Sequence, residues 1–176
     1  MILFDSHCHI DDKCFHKDLD GLFQRALNEG VKSIMIVGVD VTTSQKAINI
    51  AKSRDHVFTS VGSHPHYAQK CSCDIMDTYK KMALENDCVR AWGETGLDFN
   101  RMFSPQKDQE KWFSTQLGMA GELNLPLIFH ERESNGRFYE ILKSDGPPSR
   151  KGVVHCFSGT KDEIFKYSGN AFVHGN

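Results

Sequence analysis

A chain of 176 residues, 39% hydrophobic and 25% charged, is ordinary globular material, long enough to bury a core, and a single domain over 1–176 is expected. Its formal net charge of −2 excludes a broad electrostatic surface for nucleic acid, so any such substrate must be held by a local site. No apolar run reaches membrane-spanning length, and the opening "MILFDSHCHIDD" lacks the basic start of a secretory signal.

The predicted elements alternate. "MILF" is a short apolar run. The segment 17–30 follows with Leu19, Leu22, Phe23, Ala26 and Leu27 at helical spacing and Gly30 as its stop. "SIMIVGV" reads as a buried strand, and "TTSQKAINIAKS" as a helix with Thr or Ser as its cap. Next come a strand "VFTSVGSHP", a helix "IMDTYKKMALEN" and a strand "VRAWGE". The segment 104–123 is a long helix with Pro105 near its first turn. "LPLIFH" is a strand, "GRFYEILKS" a helix and "GVVHCF" a strand, before a last helix "TKDEIFKYS" and a last strand "AFVHG". Apolar strands without polar alternation are buried on both faces, which implies a parallel sheet. Strands alternating with helices give an α/β fold, either a barrel or a doubly wound sheet.

Unusual side chains gather at the carboxyl ends of these strands. Asp5, His7 and His9 follow the first, and His64 and His66 follow the third within "GSHPH". Glu94 and Asp98 fall in "GETGLD" after the fourth, His130 ends the fifth, and His155 lies on the sixth. That end of the sheet carries the active site in a β/α barrel and the ligand crevice in an open sheet. Each piece has a plainer reading. A single His at a strand end is a good hydrogen-bonding loop residue, "GSHPH" is a turn around Pro65, and "GETGLD" is a turn between glycines. Taken jointly, on successive strands, they read as a metal site.

Imidazole and carboxylate without thiolate suit zinc, manganese, magnesium or iron. In this reading His7 and His9 hold one ion, His130 and His155 hold another, and Glu94 bridges. Two ions about 3.5–4 Å apart activate a water and clamp a displacement at phosphorus. The six cysteines are expected as reduced thiols in an intracellular setting, cytoplasmic or nuclear. Cys8 and Cys156, beside ligands but on the opposite strand face, read as packing residues.

The stretches "DSHCHID", "GSHPH", "GETGLDFNR", "SPQKDQEKWFSTQL", "LPLIFHERE" and "HCFSGT" together resemble the TatD family of metal-dependent deoxyribonucleases, from residue 4 to about 165. The resemblance implies a TIM-type (β/α) barrel and hydrolysis of DNA phosphodiesters, exonucleolytic or endonucleolytic, with two divalent ions, Mg²⁺ first and Zn²⁺ or Mn²⁺ as other choices. It places His7 and His9 as ligands on the first strand, Glu94 as the bridging and catalytic carboxylate, and His130 and His155 as ligands on the fifth and sixth. It puts His64 and His66 against phosphate, and Asp98, Asn100 and Arg101 in the loop after Glu94, where they position substrate. Arg132 is read either as a phosphate donor or as a structural ion pair with Glu131 or Glu133.

The family pattern breaks at "YSGNAFVHGN". A full barrel takes about 250 residues, and this sequence supplies about seven of eight β units. The family's last ligand, an Asp in a "TD" element after the eighth strand, has no counterpart here. An incomplete barrel is therefore expected, its open edge inviting a partner chain. Two alternatives stand beside the nuclease: a catalytically impaired truncated paralogue, and a metal-dependent ester or amide hydrolase on the same scaffold.

Overall fold

The computed structural model describes residues 1–145, 152–155, 157, 160–162, 165 and, for the backbone, 173–174. Its elements run β1 (Leu3–Cys8), α1 (Leu19–Asn28), β2 (Val31–Ile36), α2 (Val41–Ala51), β3 (Val57–Val61), a 3-10 turn (Pro65–Lys70), α3 (Cys73–Glu85), β4 (Val89–Asp98), α4 (Gln106–Glu122), β5 (Leu127–Arg132), α5 (Arg137–Ser144), β6 (Gly152–His155) and β7 (Val173–His174). Cys156, the 158–159 pair and most of the helix expected over 160–168 lie outside the described residues.

All strand pairs are parallel, and the order follows the chain from β1 to β7. This is an incomplete TIM-type barrel, with the helices as crossover connections. Each strand therefore ends at the same rim, where the last inward side chains of β1 to β6 converge.

Local chemistry sets the element starts. Asp40 caps α2 by accepting from the Thr43 amide at 2.7 Å, while the Thr43 hydroxyl accepts from the Asp40 amide at 2.9 Å, a reciprocal capping box. The helix expected from Ile75 begins two residues earlier, because the Ser72 hydroxyl caps it by accepting from the Ile75 amide at 3.3 Å. The core between helices and sheet is largely aromatic, with Phe113 stacked on Phe138 at 4.9 Å and both edge-on to Phe129. A second cluster packs α1 and α2 against β2 through Ile34, Ile36 and Ala47.

β4 is longer than its apolar run. The strand expected over 89–94 continues to Asp98, pairing Gly96 with His130 and Asp98 with Arg132. "GETGLD" is thus strand rather than turn, and Asp98 is a strand residue rather than a loop residue. The reason lies in its glycines. Gly93 and Gly96 have φ of 142° and 145°, and a Cβ on either would collide with the carbonyl oxygen of Ile128 or His130. Only glycine lets β4 approach β5 this closely on both sides of Glu94.

Candidate metal centre

The first two histidines meet as the strand period requires. His7 Nε2 lies 3.2 Å from His9 Nε2 and 3.4 Å from Glu94 Oε2. His9 Nδ1 lies 3.2 Å from the Val37 carbonyl. A carbonyl only accepts, so Nδ1 carries the proton and Nε2 presents its lone pair toward His7. Such an outer hydrogen bond fixes a ligating histidine's tautomer and orientation. The other nitrogen of His7, Nδ1, is buried without a partner.

Glu94 is 2% exposed and serves a second group. His130 Nδ1 is 3.0 Å from Glu94 Oε1, and His64 Nε2 is 3.9 Å from the same oxygen. Among the described residues two sets of side chains could hold a cation, His7–His9–Glu94 and His64–Glu94–His130, with Glu94 in both. The donors are imidazole nitrogen and carboxylate oxygen with no thiolate, a set that fits a divalent ion of hard or borderline character. The His9 Nε2 lone pair and the buried Glu94 carboxylate both face His7 Nε2, an electron-rich cluster that a positive charge between them would satisfy.

Burial would raise the Glu94 pKa, but hydrogen bonds from His130 and His7 hold the carboxyl well below the usual range, so it is ionised at neutral pH. Burial, only partly opposed by the Glu94 charge, pushes His64 down to about 3 and leaves it neutral.

Asp98 ties the centre to the "HPH" turn. Its Oδ2 lies 2.8 Å from His66 Nε2 and 3.2 Å from His130 Nε2, while Oδ1 accepts from the Asn100 and Arg101 amides at 3.1 and 2.8 Å. Burial works against its charge, but these amides and histidines lower its pKa. His155 sits beside the group, its ring stacked on His7 at 3.7 Å. Burial, followed by the neighbouring His7, lowers its pKa.

Other expected residues fall further out. Arg101 touches Asp98 by its backbone amide, and its side chain is exposed. Among the described residues Arg132 forms no ion pair. Glu131 accepts from the Ser134 hydroxyl at 2.6 Å and Glu133 from the Asn100 side-chain amide at 2.6 Å, so neither expected partner pairs with Arg132.

Two supporting residues lie in "SPQKDQEKWFSTQL", where the sequence reading gives them no role. Gln116 of α4 accepts from the Ser63 amide at 2.8 Å and the Trp92 indole at 3.2 Å, and donates to Ser63 O at 3.1 Å and Thr95 Oγ1 at 2.7 Å. Gln109 accepts from the Asp98 amide at 2.9 Å and donates to the carbonyls of Asp98 and Ser104. They lie on one helix face, two turns apart, and fix the backbone next to His64, Glu94 and Asp98. Polar residues at heptad spacing within an apolar face were the available signal.

A model of the TatD-related DNase family matches residues 4–175. The chain is 37% identical over 163 residues to the 3′-5′ ssDNA/RNA exonuclease TatD of Pantoea ananatis, a match covering 92% of this chain and 62% of that one. The crystal structure of a TatD homologue from Escherichia coli K12 superposes with a TM-score of 0.88 at 26% identity, covering 98% of this chain and 66% of that one. A TatD-family hydrolase from Entamoeba histolytica gives 0.91 at 26% identity, covering 99% and 64%. The chain spans less than two thirds of the length of each of these relatives. No helix among the described residues is long and apolar enough to cross a membrane.

Proposed function

The chain belongs to the TatD-related DNase family, and from that premise we propose that residues 1–176 act as one hydrolase domain that cleaves DNA phosphodiester bonds with water as nucleophile. The observation that carries this reading is the sharing of Glu94 by the two side-chain groups. His7, His9 and Glu94 would hold one divalent ion, and His130 and Glu94 a second, with His155 beside them. Mg²⁺ is the expected ion, and Zn²⁺ or Mn²⁺ suits the same donors. Such ions supply, when bound, Lewis acidity toward water and the phosphoryl oxygens.

The chain's own residues do the rest. Glu94, ionised and buried, sets negative charge at the centre of the group and orients His7 and His130 by hydrogen bonds. Asp98 holds His66 and His130 in fixed orientation. His64 is neutral at physiological pH and faces Glu94, which supports phosphate contact or a share in holding the second ion. Arg132 and Arg101 offer guanidinium groups for phosphate oxygens. Leu3 and Phe4 are exposed on β1 at the edge of the sheet, the surface that a further strand or a partner chain would cover. Among the described residues Cys8, Cys14, Cys71, Cys73 and Cys88 are free thiols, which suits a reducing compartment, cytoplasmic or nuclear.

The test is nucleotide release from single-stranded DNA in Mg²⁺, comparing the protein with His130→Ala. A fall of about 100-fold or more is expected. Equal rates would overturn the assignment, and preference for a carboxyl ester over DNA would move it to another hydrolase class.

A further inference from the structure

Phe103 lies in the segment between β4 and α4. Its side chain is 58% exposed, yet its ring lies 4.7 Å from that of His66 at an interplanar angle of 72°. Single exposed apolar residues are common and need no explanation by themselves. This one is distinguished by how it is held. The Gln69 side chain donates to the Phe103 carbonyl at 3.2 Å. The next residue, Ser104, is fully buried, accepts from the Gln69 amide at 3.1 Å and donates to the His66 carbonyl at 2.9 Å. Gln109 donates to the Ser104 carbonyl at 2.8 Å. The backbone is therefore pinned to both α4 and the "HPH" turn, while the ring projects outward. It stands beside His66, which bonds Asp98, which bonds His130.

An aromatic on a fixed backbone has less freedom to lose when a flat partner settles on it. The chain's net charge of −2 gives no overall positive excess for the counterion release on which much non-specific nucleic-acid affinity rests, so a stacking contact would carry more of the affinity for single strands. Base-on-aromatic stacking supplies affinity without regard to sequence, because every base has a π-face. Exposed Arg101, two residues before Phe103, adds one local cation for the adjoining backbone.

Resting on the nuclease reading above, we propose that Phe103 is the stacking platform for the nucleobase next to the phosphodiester under attack. It is a positioning residue: it sets which linkage lies over the Glu94 group and takes no part in bond breaking.

The experiment uses short single-stranded oligonucleotides with phosphorothioate linkages, in Mg²⁺, carrying 2-aminopurine at successive positions from the 3′ end. A matched set carries an abasic site at those positions. The wild-type protein is expected to quench 2-aminopurine at one position and to prefer the base-bearing strand over its abasic partner there by about tenfold. Phe103→Ala should lose both the quench and the preference, and Phe103→Trp should keep both. Retention of quench and preference in Phe103→Ala overturns the proposal, as does a wild-type protein that hydrolyses unmodified DNA without any such preference. A wild-type protein that neither binds nor hydrolyses the unmodified strand overturns the nuclease reading and this proposal with it.

Discussion

Asp98 Oδ2 lies 2.8 Å from His66 Nε2, a contact that joins the end of β4 to the "HPH" turn across the rim of the barrel. The same oxygen also meets His130. Asp98→Asn keeps the shape and the Oδ1 acceptor for the loop amides but removes the charge that both imidazoles face. It should lower DNA hydrolysis by about 10–100-fold with little change in fold. Asp98→Ala, which also strips the Asn100 and Arg101 amides of their acceptor, should lose thermal stability as well. Steady-state rates with melting curves for the two variants separate these effects.

Glycine substitutions should divide by backbone geometry. Gly96→Ala places a Cβ into the His130 carbonyl at a φ of 145°, and should destabilise the fold by about 2 kcal/mol or more. Gly118 lies in α4 with open space around it, so Gly118→Ala should stabilise by about 0.5–1 kcal/mol. Urea unfolding of both proteins measures the opposite signs.

Gln116→Leu removes a buried side chain that satisfies the Ser63 amide and carbonyl, the Trp92 indole and the Thr95 hydroxyl. Leaving such groups unpaired should cost about 3 kcal/mol. Because Ser63 and Thr95 adjoin His64 and Glu94, activity should fall even at temperatures where the variant stays folded. Hydrolysis rate and unfolding free energy, measured on the same preparation, test both halves.

The pH dependence of stability can be read at the junction of α4 and α5. Arg137 Nη2 lies 2.9 Å from Glu110 Oε2 and lowers the Glu110 pKa below its ordinary 4.5. A carboxyl depressed in the folded state stabilises above its unfolded pKa and loses that contribution as pH falls through the folded value. Both side chains are partly exposed, so solvent screens the pair and its contribution is small. Glu110→Gln should therefore be slightly less stable than wild type at pH 7, with the gap closing below about pH 4. Denaturation midpoints for the two proteins across that interval check it.

Much of the site was readable because its pieces follow short-range rules. His7 and His9 face one point because a strand repeats every two residues, and β5 and β6 announce themselves as apolar runs ending in histidine. What escaped depends on contacts between distant segments. The "GETGLD" glycines looked like turn residues because positive φ and close strand approach demand the same residue type. Sequence alone therefore puts Asp98 in a loop, whereas it is paired in β4. Proximity in sequence offers Glu131 and Glu133 as partners for Arg132, but those carboxylates bond the side chains of Ser134 and Asn100. The adjacency of His64 to Glu94 follows from strand order and register, which periodicity alone does not supply.

The most direct test of the central claim, that one buried carboxylate serves both halves of the centre, is calorimetric titration of Mn²⁺ into the purified protein and into Glu94→Gln. Wild type is expected to bind two ions, and the variant to lose affinity at both sites by about tenfold or more. Two sites of unchanged affinity in Glu94→Gln, or no binding by the wild-type chain, would contradict it.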